Sequence, residues 1–210
     1  MGAKDHDVLL DVPYFAQPTS DTCGATCLKM MATYLCPDGN RRTNMMQKDI
    51  MNIHRDIMKS PHRPFDVSYA DMRNMRWWLE NEFSGRDFLF NAYDERSRAI
   101  GEICNSIRIG TPVICGTDHS QTDGHYILVV GFKGDSSDSE HITLICHDPY
   151  GKAGYEGRWA KGRFIGGFSV AGGGESGPGK NVRYTYQGAR FNIKGKKRFG
   201  SYYMIRTPYK

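Results

Sequence analysis

The 210-residue chain is 39% hydrophobic and 24% charged, a balance that excludes a disordered chain and fits a soluble globular protein. Its length suffices for one domain with a sizeable core, or for a domain plus an extension. The net charge of +5 hides two unlike parts: residues 151–210 hold 13 Lys or Arg and 2 acidic residues (+11), whereas residues 1–150 hold 15 and 21 (−6).

At the N-terminus, MGAKDHDVLLDV is too charged, and its apolar run too short, for a secretory signal; His6 also speaks against myristoylation after Met-Gly. No run approaches the ~18 apolar residues of a membrane span, so the chain is expected to be cytoplasmic as synthesised. Val8–Phe15 (VLLDVPYF) reads as a short extended segment that Pro13 confines to an edge or a strand end. A helix follows, with Ala25, Leu28, Met31, Ala32 and Leu35 at three- and four-residue steps and Asp21 or Thr22 as N-cap. Pro37–Asp38–Gly39 signals a turn. The spacing of Met46, Ile50, Ile53 and Ile57 predicts a second helix over 44–58. Ser68 and Asp71 form a capping-box pattern before a third, carrying Met72, Met75 and Leu79. Asp94 is placed to cap a fourth, with Ile100, Ile103, Cys104 and Ile107 on one face.

After Gly110 the period changes. Pro112–Cys115, His125–Phe132 and His141–Cys146 are β-rich runs, and Lys133–Glu140 is a polar turn between the last two. Helices first and strands second predict an α+β domain, with N-terminal helices packed on an antiparallel sheet. A hairpin centred on Ser136–Ser137 pairs residues whose numbers sum to about 273, which sets His125 beside Asp148.

Cys23 falls in the first turn of its helix, where free N–H groups and the positive dipole end favour a thiolate. Thiol hydrolases need a nucleophile, a base and a group that orients the base. Cys23, His125 and Asp148 can fill these roles, and Gln17, six residues before Cys23, can aim an amide N–H₂ at the same carbonyl as the Cys23 backbone N–H. His119, His147, His54 and His62 are weaker candidates for the base, and Asp118 and Asp123 read as loop residues. All six cysteines are expected to be reduced. Cys23 and Cys27 lack a second ligand pair, so neither metal nor cofactor is expected, although a zinc or redox protein is the alternative they leave open.

DVPYFAQPTSDTCGAT, GTPVIC, GHYILVVGF and HDPYG, in that order, resemble the papain-like bacteriocin-leader peptidase family, which processes double-glycine leaders, and its free-standing relatives. The resemblance covers residues 8–151 and implies a papain-like fold. It also implies Gln17 as oxyanion donor, Cys23 as nucleophile, His125 as base and Asp148 as its partner. The expected activity is cleavage of a peptide or amide bond through a thioester. Glutamine deamidation, acyl transfer and a catalytically idle binding module stay open. So does the setting: a cytosolic processing enzyme, or a bacterial effector or toxin delivered to another cell and paired with an immunity protein.

Residues 1–151 are read as the hydrolase core and 152–210 as a basic, Gly- and aromatic-rich β extension packed on the same domain. Its charge, including Lys194–Arg198 (KGKKR), marks a candidate surface for an anionic partner, or a solvated turn.

Overall fold

The computed structural model describes residues 7–19, 21–36, 38–61, 71–117, 125–149, 179–184, 189–193 and 196–208, with backbone alone for residue 117, 189–193 and 196–201. The expectations for Pro37, His62, Ser68, Asp118, His119, Asp123, the tail segment 150–178 and Lys194 lie outside these residues.

The fold is built around α1 (Cys23–Leu35), in which every residue from Cys23 to Thr33 is buried. A helix with no polar face must be covered on all sides. α2 (Gly39–Gln47), α3 (Ile50–Met58), α4 (Met72–Glu82) and the sheet supply that cover. Its threonines satisfy themselves: the Thr26 hydroxyl donates to Thr22 O and the Thr33 hydroxyl to Lys29 O, each at 2.8 Å.

The helix expected over 44–58 is two helices. Asp49 interrupts it by accepting from Met51 N at 3.0 Å and capping α3. Gly39 begins α2 instead of completing a turn, because Asp38 accepts from Arg41 N at 2.7 Å. Asp71 is itself the N-cap of α4, accepting from Arg73 N at 2.7 Å. α5 (Arg96–Arg108) starts after Glu95, not Asp94, and has no side-chain cap. The expected stripes are buried in both helices.

Among the described residues eight strands form the antiparallel sheet: β1 (Val8–Leu9), β2 (Leu89–Tyr93), β3 (Val113–Thr117), β4 (His125–Lys133), β5 (Thr143–His147), β6 (Val182–Tyr184), β7 (Ala189–Ile193) and β8 (Lys196–Arg206). The main order is β2-β8-β3-β4-β5-β6, with β1 on β4 and β7 on β8. The sequence pattern does not announce β2. Its LFNAY run is stabilised by a partner far along the chain, Leu89 pairing with Arg206 and Tyr93 with Tyr202.

Both faces of the sheet are buried. Ile114, Leu128, Val130, Ile145 and Ile205 pack against α1–α4, while Val113, Cys115, Ile127, Val129, Cys146 and Met204 pack against α5. The alternation along β3, β4, β5 and β8 thus serves two cores, and the described residues form three layers: helices, sheet, helix. The Arg206 guanidinium reaches Glu102 of α5 at 2.9 Å, tying β8 to that outer helix.

β1 lies so close to β4 that a Cβ on Gly131 would stand 2.4 Å from Val8 O. From there residues 10–17 run as a strap, Leu10 N donating to Val130 O at 2.8 Å and Gln17 N to Pro149 O at 2.9 Å.

Candidate active site

Four segments converge at one end of β4. Cys23 is the first residue of α1 and is buried. Thr22 turns its hydroxyl back to Thr19 O, at 3.1 Å, and provides no side-chain cap, which leaves the first-turn N–H groups of α1 for another acceptor. Gln17, 4% exposed, donates from Nε2 to Thr19 O at 2.5 Å, so one N–H of its amide is committed to the loop that leads into α1.

His125 opens β4 and Asp148 follows β5. Their side chains meet, Nε2 to Oδ1 at 2.9 Å, both buried. They are not register partners. Leu128 pairs with His147 and Val129 with Cys146, so paired numbers sum to 275, and beyond the irregularity between Val129 and Gly131 they sum to 276. The expected sum of 273 is therefore corrected: the turn is centred on Asp138 rather than on Ser136–Ser137, the irregularity after Val129 takes back one residue of that difference, and the contact is made diagonally by a residue that has left the strand.

Burial acts to lower the pKa of His125, but the Asp148 charge and hydrogen bond, with the Cys23 sulfur as a further acceptor beside the ring, outweigh it and raise the value to about 9. The ring thus carries a positive charge between a carboxylate and a thiol. With Nε2 on Asp148, Nδ1 is the nitrogen left for Cys23.

Asp148 is held from several directions. Its backbone N–H donates to Gly179 O at 2.8 Å, and its carbonyl accepts from the Tyr14 hydroxyl at 3.1 Å. Its second carboxylate oxygen, Oδ2, accepts from the Tyr184 hydroxyl. Tyr184 lies in the basic C-terminal part of the chain and escaped sequence reasoning. The buried–exposed–buried order of Val182, Arg183 and Tyr184 betrays a strand, but not its neighbour.

Of the competing histidines, His54 is buried on α3. His147 is buried beside Asp148, with Nε2 donating to Val12 O at 2.9 Å and Nδ1 accepting from Asn181 N at 3.3 Å. Asn181 adopts a positive φ of 56°, which aims its N–H at the ring. His147 thereby joins the strap, β5 and the turn before β6. Cys27 lies one helical turn below Cys23, fully buried, and burial pushes its thiol well above the ordinary value. Among the described residues no three His, Cys, Asp or Glu side chains are grouped as metal ligands, and no helix is long and apolar enough to cross a membrane.

Helices packed on an antiparallel sheet, with a buried cysteine at a helix N-terminus and a buried histidine–carboxylate pair at one end of the sheet, are the architecture of the papain-like cysteine peptidases. Within that class, the chain belongs to the Peptidase_C39 like family, whose sequence model matches residues 9–168. No curated protein matches the chain. Among solved structures, UfSP from C. elegans is similar in fold, with a TM-score of 0.56 and 12% identity over 100% of this chain; the chain spans 35% of the UfSP chain. A double glycine motif protease from an AMS/PCAT transporter, solved in complex with the leader peptide, aligns with a TM-score of 0.46 and 12% identity over 99% of this chain and 100% of that one.

Proposed function

We propose that this protein hydrolyses a peptide or amide bond through a thioester acyl-enzyme. Cys23 is the nucleophile, His125 the acid–base, Asp148 the group that orients it, and Gln17 an oxyanion donor together with the Cys23 backbone N–H. The observation that carries the reading is the buried His125–Asp148 pair at 2.9 Å, with Cys23 of α1 near enough to the same ring to raise its pKa. Membership of a peptidase family supports it independently.

The reaction runs in two halves. The Cys23 thiolate attacks the carbonyl carbon, a C–S bond forms, and the charge on oxygen is met by amide N–H groups. The C–N bond then breaks as the His125 imidazolium protonates the leaving amine. Neutral His125 next takes a proton from water, which attacks the thioester; the C–S bond breaks and the thiolate returns beside the imidazolium. One oxyanion donor is worth about 100- to 1,000-fold in rate.

The test is a library of internally quenched peptides, including sequences with small-residue pairs, screened with the native chain and with Cys23→Ala. Cleavage that disappears in Cys23→Ala, and an acyl adduct on Cys23 trapped by mass spectrometry at acid pH, are the expected results. Cleavage undiminished in Cys23→Ala overturns the assignment.

A further inference from the structure

We infer that Tyr184 is a positioning residue for the His125–Asp148 pair, an inference that rests on the function proposed above. A carboxylate has two oxygens, and in a buried site both need partners. His125 takes Oδ1, and the Tyr184 hydroxyl takes Oδ2. Tyr184 is 4% exposed, so water does not compete strongly for either group. The two bonds pull on opposite oxygens of one carboxylate and together fix its rotation about the Cβ–Cγ bond.

Tyr184 is itself well anchored. It pairs with Leu144 across β5–β6, and its ring lies in the core under α5. The carboxylate is thus referenced to the sheet through a side chain that cannot move without disturbing that core. A phenol held in this way keeps its proton, directed at Oδ2 of Asp148, as a donor. Burial, and then the nearby Asp148 charge, push its pKa well above the ordinary value, so it stays protonated whenever His125 changes charge. Tyr184 therefore holds Oδ1 against Nε2 through both halves of the reaction without exchanging a proton itself.

The experiment is an NMR titration of the His125 ring in a Cys23→Ala background, where the thiol does not contribute. Tyr184→Phe removes the hydroxyl and keeps the ring. Its loss frees the carboxylate to rotate away from Nε2, and the His125 midpoint is expected to fall by about one pH unit, tenfold in proton affinity, the scale of one hydrogen bond to a charged group. In an Asp148→Asn background the same change is expected to leave the midpoint where Asp148→Asn alone puts it. A merely structural tyrosine predicts lower thermal stability with an unmoved midpoint, and that result overturns the inference. So does a midpoint that rises, which means that Tyr184 weakens the carboxylate instead of holding it.

Fluorotyrosine at 184 gives a second measurement that needs no lost group. Its fluorine NMR signal is expected to move as His125 titrates, and a signal that stays still also overturns the inference. The outcomes separate from those of the proposed function. Normal dependence on Cys23 with a silent Tyr184→Phe defeats the positioning role alone. A shifted midpoint with Cys23-independent cleavage defeats the peptidase assignment alone.

Discussion

His125 and His147, each 1% exposed, stand on adjacent strands at opposite ends of the imidazole range. Burial lowers His147 to about 4, a fall that the bond to Val12 O only partly opposes. In His125 burial has the same sign, yet Asp148 reverses it and the value rises to about 9. The difference is one carboxylate: His147 has neutral backbone partners, whereas His125 has a charged one.

Stability follows from these signs. His147 sits below the ordinary imidazole value, so the unfolded chain binds a proton that the folded one rejects between about pH 6.5 and 4. Stability is fully present above 6.5 and falls on acidification by up to about 3 kcal/mol. Lys180 adds to the effect and Asp11 opposes it. His147→Gln keeps a donor for Val12 O but does not titrate. Urea midpoints measured between pH 4.5 and 6.5 are expected to vary less with pH in that variant. An equally steep acid dependence removes His147 from the explanation.

His125 has the opposite sign. Its contribution is complete below pH 6.5 and is lost as pH rises towards 9. The stability gap between the native chain and His125→Asn is therefore expected to narrow over that interval.

The same charge bears on Cys23. With His125 protonated up to about pH 9, the anionic reagent iodoacetate is attracted to the thiolate and the neutral iodoacetamide is not. The ratio of their rates at Cys23, followed by mass spectrometry, is expected to drop as pH passes about 9. A flat ratio means that no positive charge adjoins the sulfur.

His125→Ala and Asp148→Ala are expected to differ. If His125 is the base and Asp148 its orienting carboxylate, as proposed, loss of the first should approach the effect of losing Cys23, and loss of the second should be smaller. Cleavage rates of the double variant are expected to match those of His125→Ala within a few-fold. Multiplying losses mean independent action.

Gly131→Ala places a methyl group where Val8 O already stands, 2.4 Å away. Overpacking of this kind costs about 1–3 kcal/mol. The strap that carries Tyr14 and Gln17 starts at this crossing, so hydrogen exchange is expected to rise at Leu10 N and Gln17 N first. Unchanged protection at both would show that the strap is held independently of β1.

The helices were legible because each stripe, such as Ile100, Ile103, Cys104 and Ile107, faces a core and repeats at helical spacing. The break at Asp49 was less so, since its effect depends on a cap that competes with a continuing apolar stripe. The meeting of His125 with Asp148 could be anticipated from two strands and a turn. Its register could not, because the polar run Lys133–Glu140 does not show that the turn is centred on Asp138, and the irregularity after Val129 has no marker in VVGF beyond a glycine. β2 and Tyr184 were hidden for one physical reason: each is stabilised by partners distant in sequence, and local pattern carries no trace of them.

The order of the strands also sets a timetable. β8 is made last, yet it stands between β2 and β3. While the ribosome is still at work, Cys23, His125 and Asp148 already exist, but the sheet is in two pieces with a gap one strand wide, and Glu102 awaits Arg206. β2 can join β3 only once residues 202–206 have been synthesised. A chain that stops short of β8 carries Cys23, His125 and Asp148 but lacks the strand that joins β2 to the rest of the sheet.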